Sequence, residues 1–442
     1  MSGLTSAIER PVKERIKDWK EIRTTVPHNL AYREAIRCNY CIEAPCSTAC
    51  PSGVDVSAFI RRICVGDLRS AIRIIKESNP FAGVCGRICP VEQFCMDKCR
   101  SQFATAPVDI AILQRYVADV ELLRGYRVPE VRKAKGAKKV ACVGAGPASL
   151  ACAAALAKRG YDVTVFEQHK KPGGMLTYGI PSYRLSQEIV DAEIDQIRKM
   201  GVKIATGKKI TSIKKLKTAG FKAIFVGTGA WRSKWQNIEG AELKGVWDAM
   251  KFLTAAKFGP KPRVGATVAI FGAGNTSMDC AGVSLRLGAK RVLIIYRRGR
   301  AEMPAWESEV ALTFKEGTEF MLLTAPKRIL GATKVAAVEC IKMKLGPRDE
   351  SGRPRPIPIP GSEFTLKVDT VIQALGQETD AELLSQLGLR TDKSGCVKTK
   401  KGGATTIPGV FAGGDAVNGG ATAVEAIAAG KTAADAIEKY LE

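Results

Sequence analysis

The chain has 442 residues, 45% of them hydrophobic, enough for roughly two to four domains that each bury a core. Lysine and arginine total 68 against 44 acidic residues, and the resulting charge of +24 suits a nucleic-acid binder, or a protein that holds anionic dinucleotides and an acidic partner. The charged, proline-broken start lacks the apolar stretch of a signal peptide, so a cytoplasmic chain is expected, and its 14 cysteines point to metal or redox chemistry rather than disulfide stapling.

The first dense feature is RCNYCIEAPCSTACP, which sets Cys38, Cys41, Cys46 and Cys50 close together. A second set follows in CGRICPVEQFCMDKC, with Cys85, Cys89, Cys95 and Cys99. Each set contains a Cys-Pro step, as in two-cluster ferredoxins, where the cysteine before proline ligates the other cluster. The stretch between them, VDVSAFIRRICVGDLRSAIRIIKE, has helical amphipathic spacing, and folded as a hairpin it would bring both sets together. Iron–sulfur ligation is the expectation. A pair of structural zinc sites is the alternative, although zinc knuckles favour two CxxC pairs and only Cys38 and Cys41 make one. Cys64, Cys142, Cys152, Cys280, Cys340 and Cys396 stand alone and are expected as buried small residues.

The basic run RGYRVPEVRKAKGAKK, residues 124–139, is expected to be a solvated linker, since Tyr126 is its only aromatic residue. Beyond it, KKVACVGAGPASLACAAALAKRGYDVTVFEQ reads as strand, glycine turn, helix, strand. The eighteen uncharged residues Val140 to Ala157 lie inside this unit, and their glycines and proline argue against a membrane span. Gly144 permits the tight turn. Gly146, flanked by Ala145 and Pro147, lets the backbone approach a pyrophosphate at the helix N-terminus. Ser149 replaces the third glycine, which predicts slightly looser helix–strand packing. Glu167 ends the second strand, where an acid can accept hydrogen bonds from a ribose.

The unit recurs in GATVAIFGAGNTSMDCAGVSLRLGAKRVLIIYRRGR, with Gly272, Gly274, Asn275 and Thr276 in the turn and Ser277 in the third glycine position. Its second strand ends in Arg297 and Arg298, with Arg300 beyond, where the first unit has an acid. Arginine can pair with a 2′-phosphate that glutamate would repel, so the first site is expected to hold FAD and the second NADPH. A solvated charge run is the bland alternative. The segments AIFVGTGA (223–230) and DTVIQALGQ (369–377) look like crossover strands between the units, and Ala374 and Gly376 in the latter are grouped with the NADPH site. A third glycine motif, GVFAGGDAVNGGATAVEAI, resembles the return strand of flavoproteins with two dinucleotide domains. That resemblance puts Gly414 and Asp415 near the ribityl–pyrophosphate and points the next helix, from Thr422, at the flavin. The expected fold is an α-helical iron–sulfur domain (1–137) followed by two α/β Rossmann-like domains. The NADPH domain (241–374) is inserted into an FAD domain made of 138–240 and 375–442.

This order of parts resembles the glutamate synthase small subunit family over nearly the whole chain, carried by PGGMLTYGIPSYRL (172–185), GAGPAS, the paired arginines and AGGD. That family includes the N-terminal half of dihydropyrimidine dehydrogenase and its bacterial NAD(P)H-oxidising subunit, and a similar subunit serves electron-bifurcating transhydrogenases. The resemblance implies FAD contacts from Gly174 and Arg184. It also implies one 4Fe–4S cluster on Cys38, Cys41, Cys46 and Cys99, and a second on Cys50, Cys89, Cys95 and Gln114, leaving Cys85 unligated. The glutamate synthase branch usually has Glu at position 114, and a plain helix-surface glutamine is the alternative for Gln114.

NADPH would reduce the flavin, and the clusters would carry single electrons outward to a larger partner holding the final acceptor; no membrane span is expected. A bifurcating or hydrogenase-type complex is an alternative partner. No catalytic acid or base is evident, because His28 and His169 are isolated. A rival of another class, a zinc-containing basic nucleic-acid or scaffold protein with degenerate Rossmann folds, is opposed by the intact glycines at both turns.

Overall fold

The computed structural model describes residues 3–125, 131, 134–349 and 352–442. Part of the basic run 124–139 therefore lies outside the described residues. No helix among those described is long and apolar enough to cross a membrane.

The longest helices of the N-terminal head are α1 (His28–Ala35), α2 (Val56–Cys64), α3 (Leu68–Ser78), α4 (Ala82–Ile88) and α5 (Ile110–Arg124). Helices α2 and α3 form the expected hairpin. Asp55 and Asp67 cap them by accepting from the backbone N–H groups of Ala58 and Ser70 at 3.1 and 3.0 Å. Their apolar faces, including Phe59, Ile63, Ile72 and Ile75, bury against Leu113 and Val117 of α5. Helices α4 and α5 touch backbone to backbone, since a Cβ on Gly86 would stand 2.7 Å from the Arg115 nitrogen. The other side of α4 joins a second core. Phe81, Val84 and Ile88 pack with Ile189 and Ile194 from the α/β part of the chain.

That part begins with β1 (Lys139–Val143), α6 (Pro147–Lys158), β2 (Asp162–Phe166), α7 (Gln187–Lys199), β3 (Lys203–Ala205) and β4 (Ala223–Val226). A second unit follows: β5 (Val246–Asp248), β6 (Thr267–Phe271), α8 (Asn275–Arg286), β7 (Arg291–Ile295), α9 (Glu307–Lys315), β8 (Glu319–Met321) and β9 (Thr370–Gln373). The chain then returns through β10 (Val410–Ala412) and α10 (Ala423–Leu441). The strand orders are β10-β4-β1-β2-β3 and β5-β9-β6-β7-β8, and every pairing is parallel. Buried on both faces, the central strands are continuous apolar runs such as VACV and VAIF. Parallel strands place ligand sites beyond their C-terminal ends, where both glycine turns lie. The crossings between units run side by side, Arg232–Ser233 pairing with Gln377–Glu378.

Two elements are not apparent in the sequence. An antiparallel sheet from residues 324–367 follows β8 and packs on the second unit through Ile329, Val338 and Cys340. Residues 9–23, expected with the head, bridge it to the second unit: Glu21 pairs with Arg87 and Arg115 of the head, each at 2.7 Å. Arg15 is fully buried and bonds Glu316 at 2.8 Å and Glu9 at 2.6 Å, while Ile22 donates its N–H to the Tyr183 carbonyl.

Candidate functional site

At the first turn Gly144 adopts φ +89°, and a Cβ there would sit 2.6 Å from the Gly227 carbonyl oxygen, so only glycine fits. Gly146 is different: a Cβ there would meet nothing within 4 Å. Its backbone faces an open cleft at the N-terminus of α6, and this space matches a pyrophosphate seated on the free N–H groups. Ser149 is completely buried, and the packing is not loosened. The close approach is taken over by Gly227, whose added Cβ would stand 2.4 Å from the Ser149 hydroxyl. Glu167 is buried and accepts from the N–H groups of Ala145 and His169, each at 2.8 Å. A carboxylate has about four lone-pair sites, so two such bonds leave capacity for a ribose.

Gly174, Asp415 and Thr422 line the same cleft as Gly146. Thr422 caps α10 by accepting from the Glu425 N–H at 3.2 Å, and Glu425 returns a bond to the Thr422 N–H. This aims the helix N-terminus into the cleft. Asp415 is held above the usual carboxylate range by burial, against the opposing bond from the Ala421 N–H. Gly414 adopts φ +66° beside it.

The second turn repeats the geometry. A Cβ on Gly272, at φ +116°, would lie 2.3 Å from the Ala374 carbonyl oxygen, whereas one on Gly274 would meet only a Pro304 carbon at 3.8 Å. Gly272, Gly274, Arg297, Ala374 and Gly376 line one cleft. The three arginines do not share a role. Arg297 is exposed in the cleft and makes no ion pair among the described residues. Arg298 is buried, its guanidinium bonded to Asp349 and to the Pro354 carbonyl, each at 2.8 Å. Arg300 pairs with Glu307.

The two sites meet. Asn275, Thr276 and Asp279 of α8 line the first cleft, opposite Gly146 and Thr422. Arg184 lines it too, but its guanidinium is bound to Asp279 at 2.8 Å and to Glu309, so it ties the two units together. Burial pushes the Asp279 carboxyl up to about 6, against the opposing pull of Arg184. Trp231, Tyr178 and His169 form an aromatic stack beside this cleft, with ring centroids 4.6 to 5.7 Å apart. His28 bonds the Tyr116 hydroxyl at 2.6 Å in the head.

Ile88 completes the cleft wall. The next residue is Cys89, so the thiol-bearing helix α4 borders the dinucleotide cleft directly. Electrostatic coupling sorts the thiols into two neighbourhoods. Cys38 feels Cys99 and Cys41, and Cys46 feels Cys38 and Cys99. Cys89 feels Cys85, Cys95 and Cys50, while Cys95 feels Cys50 first and also Cys46, so the two neighbourhoods adjoin there. Burial raises every one of these four thiols, Cys46 to about 11. Buried thiols that hold on to their protons yet crowd together suit a group that takes them as thiolates. Among the described residues, no three His, Cys, Asp or Glu side chains close on a point as a single metal ion requires. Cys85 lies beside Cys50, and burial pushes its thiol up to about 12. The Gln114 amide nitrogen donates to the Ala82 carbonyl at 2.9 Å. Lys431 of α10 reaches the Ser52 carbonyl at 2.6 Å, a contact across 379 residues that no local pattern signals.

Two parallel α/β units sharing one cleft, with the second inserted into the first, define an oxidoreductase with two dinucleotide-binding folds. The model described as pyridine nucleotide-disulphide oxidoreductase matches residues 138–430, and that described as dihydropyrimidine dehydrogenase domain II, 4Fe-4S cluster, matches 15–126. The glutamate synthase [NADPH] small chain of Escherichia coli strain K12 is 32% identical over 454 residues, covering 98% of this chain and 96% of that one. The chain belongs to the pyridine nucleotide-disulphide oxidoreductase family, in the branch of the glutamate synthase small chains. The beta subunit of an NADP(+)-dependent formate dehydrogenase from Moorella thermoacetica is 38% identical over 429 residues; the match covers 90% of this chain but only 60% of that longer relative. Among solved structures, Mycobacterium tuberculosis FprA in complex with NADPH shares the fold at a TM-score of 0.58 and 18% identity, over 69% of this chain and 85% of that one.

Proposed function

We propose that the chain oxidises NADPH and passes the electrons through FAD and two 4Fe–4S clusters to a larger partner subunit, in the cytoplasm. The observation that carries this reading is the shared cleft. The first glycine turn, the second turn's Asn275 and Thr276, and Ile88 beside Cys89 all line it. When bound, the flavin accepts a hydride from the nicotinamide and hands on electrons one at a time.

The residues of the chain do the rest. Gly146 and the α6 N-terminus hold the FAD pyrophosphate, Glu167 the ribose, and Asp415 with the capped end of α10 the flavin side. Gly274 and Arg297 hold the NADPH phosphates. Arg184, through Asp279 and Glu309, fixes the angle at which the two units present their cofactors. Cys50, Cys89, Cys95 and Gln114 form the cluster set nearer the cleft, with the Gln114 oxygen as ligand because its nitrogen is engaged by Ala82. Cys38, Cys41, Cys46 and Cys99 form the outer set. The division into a head, a split FAD domain (138–240 and 375–442) and an inserted NADPH domain (241–374) is part of the same proposal.

Anaerobic purification tests it. The protein should carry one FAD and about eight iron atoms per chain, as two clusters of four, and NADPH should bleach the flavin absorbance. Stoichiometric zinc without iron or sulfide would refute it.

A further inference from the structure

We infer that the surface around the first thiol set is the docking face for an acid-rimmed, single-electron carrier protein. The inference rests on the electron-transfer reading above. Both sets are half-buried, but the inner one adjoins the cleft and α4, whereas the segments that carry the outer one bear large exposed apolar side chains. Ile42, directly after Cys41, is as exposed as in an extended peptide at 103%, and Phe103, four residues past Cys99, is 84% exposed. Ile36, two residues before Cys38, is 53% exposed, and Tyr32 lies one helical turn behind it at 43%. The two approaches are in contact, since the Ser101 hydroxyl donates to the Arg37 carbonyl at 3.1 Å. Chain length alone keeps each of Ile36, Ile42 and Phe103 within about 15 Å of a first-set sulfur. Scattered apolar residues need no explanation, but four on the short segments that carry one thiol set concentrate exposed apolar surface there, as at a protein interface.

The backbone here is shaped for presentation. Tyr40, between two thiols, holds φ +46°, which non-glycine residues rarely adopt. Its hydroxyl bonds the Cys64 sulfur at 2.9 Å and the Arg61 guanidinium stacks over its ring at 5.0 Å. The loop is thereby pinned with Ile42 turned outward. The rim is basic. Arg33, Arg61 and Arg100 are exposed and make no ion pair among the described residues. Of the acids nearby, Asp97 is paired with Lys98 and Glu34 with Arg37, which leaves Glu43 and the helix-capping Asp55 against the three arginines. An apolar centre with an arginine rim fits a partner with an apolar centre and carboxylates around it.

The test uses the holoprotein and an acidic plant-type 2Fe–2S ferredoxin as probe. Calorimetric titration measures its affinity. Chemically reduced ferredoxin then drives NADP+ reduction, two ferredoxins and one proton yielding one NADPH. The methyl viologen radical cation, too small to need a docking face, serves as the second donor. Ferredoxin affinity should fall as salt rises, because exposed charges are screened over about 10 Å at 0.1 M. Ile42→Glu with Phe103→Glu should weaken binding on the order of tenfold, by placing carboxylates against carboxylates. Viologen-driven turnover, iron and flavin contents should stay unchanged. Leu123→Glu, equally exposed at 80% but at the far end of α5, should change neither measurement.

Unaltered ferredoxin affinity in the double variant, no measurable affinity in the unmodified protein, or an equal loss in Leu123→Glu overturns the inference. So does a dimer of the unmodified protein that the double variant separates, which would make the face a self-interface. Failure of viologen-driven NADP+ reduction in the unmodified protein would instead refute the electron-transfer reading.

Discussion

Replacing Arg297 and Arg298 one at a time separates two arginines that look equivalent in sequence. Arg297 stands exposed in the cleft of the second glycine turn, while Arg298 is buried and committed to Asp349 and the Pro354 carbonyl. If Arg297 bonds the 2′-phosphate, Arg297→Ala removes one charge-assisted contact, about 1.5–3 kcal/mol. At about 1.4 kcal/mol per decade, that is about a tenfold to a hundredfold loss in kcat/KM for NADPH. NADH has no phosphate to lose, so its kcat/KM should change less than about twofold. Arg298→Ala removes a partner from Asp349 and from a backbone carbonyl, a structural loss that lowers use of both cofactors by similar factors. The assay is anaerobic stopped-flow reduction of the flavin with each cofactor, and the quantity compared is the ratio of the two kcat/KM values. That ratio should collapse in Arg297→Ala and persist in Arg298→Ala. The reverse pattern would show that Arg298 leaves Asp349 to meet the phosphate, and an unmodified protein that prefers NADH would refute the whole assignment.

Gln114→Cys should shift the potential of one cluster, since ligand charge is among the terms that set it, and leave the other nearly unchanged, while Cys85→Ser should disturb neither; an EPR-monitored redox titration reads both. Cluster loss in Cys85→Ser with an unchanged spectrum in Gln114→Ala would give the fourth ligand to Cys85. Burial lifts the Glu193 carboxyl from 4.5 to about 6, despite bonds from the Gly83 and Val84 N–H groups and the charge of Lys76. Because its folded value is the raised one, Glu193 favours the fold below pH 4.5, and that contribution is lost as pH rises through 6. Denaturant titrations at several pH values should show the stability difference between wild type and Glu193→Gln moving by about 2 kcal/mol against wild type across that window; a constant difference would mean that Glu193 titrates normally.

What was legible in the sequence is what depends on near neighbours. Both glycine turns, the strands feeding them and the amphipathic hairpin between the thiol sets follow from local spacing, and the fold has each of them. What was not legible depends on residues that only the fold makes adjacent. Ser149 seemed a flaw in the turn because its complement, Gly227, lies 78 positions away. Arg298 looked like a phosphate ligand because Asp349, 51 residues on, carries no mark of pairing with it. Arg184 carried a resemblance to a flavin contact, yet its acidic partners belong to the other unit. Residues 9–23 lack the periodicity of a packed element, and their anchoring rests on distant partners, Arg15 on Glu316 three hundred residues later and Glu21 on Arg87 and Arg115.

The thiol neighbourhoods are nested along the chain. Cys46 lies with Cys38 and Cys99, whereas Cys95, four residues before Cys99, lies nearest Cys50 and then Cys46. Each group therefore needs sulfur from both ends of a segment some fifty residues long, with Cys50, Cys89 and Cys95 of the second group all falling between Cys46 and Cys99 of the first. Iron delivered to an unfinished polypeptide would find only partial sites until Cys99 has been made and α2 and α3 have folded back. A head built this way matures as one object, so loss of a liganding thiol such as Cys46 or Cys99 should disturb both sites, whereas loss of Cys85 should disturb neither.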